Sequence, residues 1–216
     1  MAKPANLRES YDAVARAYAD EIYGELKGKP FDREVLDRFA ARVRGRGRPC
    51  DVGCGPAQIA RYLRDRGCDV LGLDLSAGML REARRLNPDI SVVQSSMLAL
   101  GLASQSVYAI AAFYAIIHVP REQVVAALTE MWRVLEQGGL LLLTFHLGSE
   151  ESQHEEMLGQ AVNFDITLFT TDEMSGYLRD AEFRIEKALE RGPYAPEIEY
   201  QSRRGYILAS KEASSL

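Results

Sequence analysis

The stretch from Cys50 to Leu75, CDVGCGPAQIARYLRDRGCDVLGLDL, reads as strand, glycine turn, helix, strand, and very few architectures accommodate that order in so short a span. A buried-strand run ends at Asp51-Val52. Gly53-Cys54-Gly55 then lets the backbone bend tightly and approach a ligand closely, and a helical pattern follows from Ala57. The second apolar run, Val70 to Leu73, closes on Asp74. Ligands of open α/β sheets lie beyond the carboxyl ends of the strands, so the glycines and the carboxylate share one rim. A carboxylate about 20 residues beyond such glycines accepts hydrogen bonds from the hydroxyls of an adenosine ribose.

Ahead of this stretch, Tyr11, Val14, Ala15, Tyr18 and Ile22 fall three and four apart and predict an amphipathic helix over 7–26, which Gly28-Lys29-Pro30 ends. A second helix carries Val35, Leu36, Phe39 and Val43 on one face, with Asp32 as its cap. After Asp74, Ser76 caps a helix through Met79, Leu80 and Ala83. A third strand, Ile90 to Val93, leads to Ser95-Ser96-Met97, and the wholly apolar Val107–Ile117 predicts a central strand covered on both faces, ending at His118. Pro120 suits the first turn of the next helix, Gly138-Gly139 its stop, and Leu140–Phe145 a fifth strand. Residues 147–170 show no clear period and read as an insertion with one short helix near 155–160. Thr170 with Glu173 forms a capping box, and Phe183–Leu189 and Tyr206–Ser210 read as closing strands. The alternation gives an α/β doubly wound sheet in one domain: N-terminal helices or lid over 1–47, core over 48–146, insertion over 147–170, and a closing helix and strands over 171–216.

A net charge of −5 leaves no overall electrostatic footprint for nucleic acid, and Arg42, Arg44, Arg46 and Arg48 read as a solvated helix end. The three cysteines are too sparse for a disulfide framework, and neither they nor the Glu150–Glu156 acids beside His154 have zinc-like or calcium-like spacing, so no metal is expected. MAKPANLRES lacks the apolar centre of a leader, and no run reaches a membrane span; a cytoplasmic protein is expected.

Asp51-Val-Gly-Cys-Gly-Pro, Leu73-Asp74-Leu75-Ser76, Ser96-Met97, Phe113-Tyr114-Ala-Ile-Ile-His118 and Leu135-Glu-Gln-Gly138-Gly139, in this order and spacing, resemble the class I S-adenosylmethionine-dependent methyltransferases, in particular the small-molecule branch with the ubiquinone and menaquinone enzymes. The resemblance spans nearly the whole chain. It implies a Rossmann-like sheet of strand order 3-2-1-4-5-7-6 with the seventh strand antiparallel. It also implies S-adenosylmethionine as cofactor, with S-adenosylhomocysteine as product. Gly53, Cys54 and Gly55 would face its methionine part, Asp51 would order that loop, and Asp74 would hold the ribose hydroxyls. Leu75, Met79, Ser96, Met97 and Phe113 would border the adenine or the reacting end. Ala57 stands where a third glycine is usual, and Ser96 where many relatives carry an acid. Tyr11 and Tyr18 match the Tyr-Asp-x-x-Ala-x-x-Tyr opening with which the family's N-terminal helix lids the site.

Methyl transfer is an in-line attack on a sulfonium carbon, so alignment and exclusion of water dominate, and an alcohol or phenol nucleophile also benefits from a base. His118 and His146 fall at the carboxyl ends of strands four and five and are the candidate bases, with Tyr18 as a further catalytic candidate. Tyr114, His118, His146, His154 and Arg203 are the candidate substrate contacts, Arg204 being the alternative to its neighbour. The acceptor expected is a small organic molecule, methylated at oxygen or nitrogen, handled by a monomer or homodimer without nucleic acid or membrane. C-methylation of a quinone-like ring and cofactor binding without transfer are the alternatives. A nicotinamide oxidoreductase is disfavoured by Gln58, which stands where the dinucleotide fingerprint needs glycine.

Overall fold

The computed structural model describes residues 5–212; the outer ends of the expected lid segment (1–4) and closing segment (213–216) lie outside the described residues. Seven strands form one sheet: β1 (Pro49–Val52), β2 (Leu71–Asp74), β3 (Ser91–Gln94), β4 (Val107–Phe113), β5 (Leu135–His146), β8 (Phe183–Arg191) and β9 (Arg204–Lys211), in the order β3-β2-β1-β4-β5-β9-β8. The first five run parallel, and β9 is antiparallel to both neighbours. Between β5 and β8 the hairpin β6 (Glu151–Met157) and β7 (Gln160–Thr167) stands as a separate two-stranded sheet. Leaving the hairpin out, this is the expected 3-2-1-4-5-7-6 arrangement.

The described residues form six α-helices, α1 (Leu7–Ile22), α2 (Pro30–Val43), α3 (Gln58–Arg64), α4 (Ala77–Leu86), α5 (Arg121–Val134) and α6 (Thr171–Asp180), of which α2 to α6 cover the sheet and α1 packs on α4 and β7. Alternate strand residues feed opposite faces. Ile110, Ala112, Leu141 and Leu143 pack with α5 and α6, while Ala109, Ala111, Leu140 and Leu142 pack with α2, α3 and α4. No helix among the described residues is long and apolar enough to cross a membrane.

Several boundaries differ from the sequence reading, each for a local reason. The first helix stops at Ile22, and a separate 3-10 turn spans Glu25–Gly28. Asp32 does not cap α2; Pro30 occupies the first turn and Lys29 the cap, which frees Asp32 to be buried as an acceptor. The apolar run from Val107 leaves the sheet at Phe113 because Tyr114 takes φ +54°, and Ile116–His118 turn as a 3-10 segment. Gly138-Gly139 does not end α5. The helix ends at Val134, β5 begins at once, and Gly138 at φ +75° makes a bulge that moves the register from Val107–Leu135 to Ala109–Leu140. The short helix expected near 155–160 is instead the turn of the hairpin, with Leu158 at φ +51° and Gly159 at φ +71°. Two successive left-handed residues suit a two-residue hairpin turn and no helix.

Helix α1 is tied to the core at α4. Asp12 Oδ1 accepts from Ser76 Oγ and from Gly78 N, both at 2.6 Å, so a carboxylate on α1 caps the start of α4. Gly78 lets the helices meet: a Cβ there would stand 2.8 Å from Asp12 Cα and 3.0 Å from its carbonyl oxygen. Gly78→Ala is therefore expected to lift α1 off α4. Hydrogen exchange checks this: amides of α1 should exchange at least tenfold faster while those of β4 and β5 keep their protection.

Candidate functional site

The site forms where β1, β2 and β4 end. Gly53 N and Cys54 N both donate to Leu73 O, at 2.7 and 3.0 Å, which folds the glycine turn back across the end of β2. Gly53 sits at φ +73°, and a Cβ on it would fall 2.3 Å from Ala115 Cβ, so glycine is required both by the backbone and by the chain leaving β4. Ala57 takes φ +68° in place of the usual third glycine, a left-handed alanine that costs about 1–2 kcal/mol. Asp51 lies beneath; its Oδ2 accepts from Ala60 N at 2.9 Å, holding the start of α3, and burial pushes its carboxyl up to about 7.

Asp74 faces the turn. Its Oδ2 accepts from Gly55 N and its Oδ1 from Ser76 N, each at 2.8 Å, so each oxygen has one backbone donor and retains capacity for another. Burial raises this carboxyl above its ordinary range, against the pull of those backbone donors. A fixed two-oxygen acceptor with spare lone pairs fits a vicinal diol such as a ribose. Gly55 at φ +53° leaves the space beside it free of backbone; a Cβ there would meet only Gln58 Oε1 and Tyr18 Cε1, both at 3.9 Å. The residues present therefore fit an adenosyl sulfonium cofactor.

The other expected contacts divide in two. Met97 Cε is 4.0 Å from the position of a Cβ on Gly53 and so borders the turn, while Leu75 is exposed and Phe113 ends β4 with its ring 6.0 Å from that of Tyr114. The Ser96 hydroxyl accepts from Leu98 N at 3.2 Å and keeps acceptor capacity. Met79, by contrast, is fully buried with Val14, Ala15, Val162 and Phe164 beneath the lid, and the Cys54 side chain is buried against β2 near Gly72; only the backbone of Cys54 belongs to the turn.

Around His118 three elements meet. Its Nδ1 lies 3.1 Å from Asp165 O on β7, and its Nε2 lies 2.7 Å from Tyr11 Oη on α1. A carbonyl only accepts, so Nδ1 carries the proton, and Nε2 accepts from the tyrosine. Burial lowers this imidazole to about 4, which keeps it neutral, and raises the Tyr11 phenol, with Asp74 adding to the rise. Phe164 stacks on Tyr11 at 5.4 Å and meets His118 edge-on at 5.1 Å, while His154 stacks on its other side at 5.7 Å. His154 thus belongs to the hairpin's packing, its Nε2 3.1 Å from Ser152 Oγ. Tyr18, its phenol raised by burial and then by Glu25, sits between the glycine turn and Tyr11.

His146 has the opposite polarity. Arg204 Nη1 donates to its Nδ1 at 2.9 Å, so Nε2 carries the proton and can only donate. Burial, with the Arg204 charge next, lowers this imidazole to about 3. A base role, expected from its strand end, does not fit this tautomer. Arg203 lies on the outer surface, paired with Glu190 at 2.7 Å; Arg204 is the buried one, its guanidinium 5.3 Å from the Tyr114 ring centre. Tyr114 Oη donates to Asp32 Oδ1 at 3.1 Å, and Arg191 bridges Asp32 and Glu199. Asp32 and Tyr114 stand far from Arg191 and Glu199 in the chain, so no sequence spacing announces this network.

Both imidazoles have folded values below the 6.5 of an unfolded histidine, so the unfolded chain takes up their protons first. The stability they contribute is intact above about pH 6.5 and is lost as pH falls toward 4 and 3. The thermal midpoint is expected to fall over that window. In a His118→Gln/His146→Gln double variant that acid slope should be visibly shallower, measured by melts between pH 4 and 7.

A family model described as a methyltransferase domain matches residues 50–139. The chain is 37% identical over 134 residues to the malonyl-[acyl-carrier protein] O-methyltransferase of Enterobacter lignolyticus, covering 61% of this chain and 53% of that protein. It is 31% identical to the demethylmenaquinone methyltransferase of Renibacterium salmoninarum, covering 65% and 59%, and 29% identical to the tRNA 5-carboxymethoxyuridine methyltransferase of Escherichia coli, covering 72% and 62%. The chain thus spans a little over half the length of the curated relatives it matches. Among solved structures, an S-adenosylmethionine-dependent methyltransferase of Methanosarcina mazei superposes with a TM-score of 0.70 at 17% identity, covering 78% of this chain and 93% of that one. Residues 50–139 thus match a methyltransferase domain, and the glycine turn, the buried acceptor carboxylate and the 3-2-1-4-5-7-6 sheet resemble those of the class I S-adenosylmethionine-dependent methyltransferases.

Proposed function

We propose that this protein transfers a methyl group from S-adenosylmethionine to a small organic acceptor, at oxygen or nitrogen. The observation that carries the reading is His118. It is a neutral imidazole with Nδ1 fixed by a backbone carbonyl and Nε2 facing a phenol, beside the rim that holds Asp74. The bound cofactor supplies an electrophilic methyl carbon; the protein aligns the acceptor with it and receives the acceptor's proton. His118 Nε2 is the atom that takes it. Tyr11 fills that position first, and its hydroxyl withdraws or relays when an acceptor hydroxyl or amine arrives. His146, as a donor, orients the acceptor, and α1 with the β6–β7 hairpin excludes water.

The relative named for O-methylation of malonyl-acyl carrier protein supports oxygen as the target atom. The relative named for a tRNA nucleoside is the reason to include one among the acceptors tested. The experiment is transfer of labelled methyl from S-adenosylmethionine to a panel of carboxylates, phenols, amines, a quinol ring and a carboxymethoxyuridine nucleoside. Label in a phenol or amine supports the proposal with His118 as the base; label in a carboxylate, which is ionised at neutral pH and has no proton to give, supports transfer to oxygen with His118 in no base role. Label only in the ring carbon or only in the nucleoside would replace it, and binding without transfer to any acceptor would leave a cofactor-binding protein.

A further inference from the structure

The two half-buried imidazoles of the rim have opposite polarity. His118 Nε2 accepts, because Nδ1–H is spent on Asp165 O, whereas His146 Nε2 donates, because its Nδ1 is taken by Arg204 Nη1. They follow neighbouring parallel strands, β4 and β5, and a charge on His118 is felt at His146. Tyr11 Oη occupies His118 Nε2. On His146 the contacts with Arg204 and Ser202 both fall on Nδ1, which leaves the N–H on the far side of the ring for a ligand.

The walls beside both rings are aromatic. Tyr11 and Phe164 meet His118 edge-on at 5.2 and 5.1 Å, and Tyr114 and Tyr200 flank His146 at 5.1 and 6.0 Å. Tyr200 is 69% exposed, so no core packing accounts for its place there. Such walls favour a flat, conjugated guest. Arg204 and Lys29 add positive charge around His146, with Glu199 opposing them more weakly, so an oxygen that carries negative charge is preferred at that ring.

We propose that the methyl acceptor is a planar hydroxy-carbonyl compound, with its hydroxyl on His118 Nε2 in place of Tyr11 and its conjugated carbonyl oxygen on the His146 N–H. The proposal rests on the reading of His118 as base and names the substrate class of that site. In the transfer the hydroxyl proton passes to His118 Nε2, an oxygen lone pair forms the bond to the methyl carbon, and the electron pair of the breaking carbon–sulfur bond stays on sulfur. The imidazolium then gives its proton to water. As the hydroxyl proton leaves, negative charge spreads through the conjugated system onto the carbonyl oxygen, where the His146 N–H meets it. His146 is thus a specificity-determining residue, and Arg204 positions it by fixing the tautomer.

The matched probes are the ortho, meta and para hydroxyacetophenones and the ethylphenols of the same pattern, which keep the hydroxyl and the size but lack the carbonyl oxygen. Transfer of labelled methyl from S-adenosylmethionine gives a ratio of kcat/KM for each pair. In wild type at least one pair is expected to favour the hydroxyacetophenone roughly tenfold or more. His146→Phe should cut that ratio about tenfold, whereas His146→Gln, which keeps an N–H donor, should hold it within about threefold. Both variants are read on protein whose melting shows it folded, and the acetyl group's effect on hydroxyl acidity is common to all three proteins. No preference in any pair, a ratio unchanged in His146→Phe, or one lost equally in both variants would overturn the assignment while leaving the methyltransferase reading intact. Label in ethylphenols, amines or carboxylates but in no hydroxyacetophenone would do the same. Transfer to none of these compounds would remove that reading and this one together.

Discussion

Asp74→Ala is expected to raise the dissociation constant for S-adenosylhomocysteine by roughly 100-fold or more, since two hydrogen bonds to a charged acceptor are lost and each contributes about 1.5–3 kcal/mol. The carboxylate has a second duty, accepting from Gly55 N and Ser76 N, so alanine also loosens the glycine turn. Asp74→Asn separates the two effects. The amide oxygen still accepts one backbone N–H, but the amide nitrogen offers a donor where the diol needs an acceptor. Asparagine should therefore keep most of the thermal stability that alanine loses, and still bind the ligand at least tenfold more weakly than wild type. Wild-type affinity in the asparagine variant would show that the carboxylate is architectural only.

The second large effect belongs to His118. Removal of a general base costs typically 10²–10⁴-fold in rate, and His118→Ala is expected to lose turnover within that range. Its effect on S-adenosylhomocysteine binding should be less than about threefold, because the imidazole faces Tyr11 and Asp165 O rather than the glycine turn or Asp74. The turnover of wild type should also fall on acidification toward pH 4, where the buried imidazole begins to charge. Single-turnover rates at saturating cofactor across pH 4–8 check both points. An alanine variant with wild-type turnover would move the base elsewhere, and His146, whose free nitrogen carries a proton, would not inherit the role.

The glycine turn and Asp74 were legible because each is local: a strand end, a tight turn and a carboxylate at fixed spacing leave a mark in consecutive residues, whereas the sheet order came only with the family resemblance. The lid tyrosines were legible for the same reason, three and four apart on one stripe. The hairpin was not, although Val162, Phe164 and Ile166 alternate along β7, since β6 is polar on both faces and hid the period. Tyr114 ended its strand early through a left-handed backbone that no side-chain pattern announces. The network joining Asp32, Arg191, Glu199 and Arg204 to Tyr114 and His146 assembles from four segments, so only the fold brings it together. The exchange of Arg203 for Arg204 as the inward residue is the alternation of a strand start, and a one-residue shift decides which of the two faces the interior.

The central claim is that the rim of β1, β2 and β4 binds S-adenosylmethionine rather than a dinucleotide. Calorimetric titration of the purified chain with S-adenosylhomocysteine and, separately, with NAD tests it most directly. One-to-one binding of S-adenosylhomocysteine, abolished by Asp74→Ala, with no heat from NAD is the predicted result; binding of NAD, or no binding of S-adenosylhomocysteine, would contradict it.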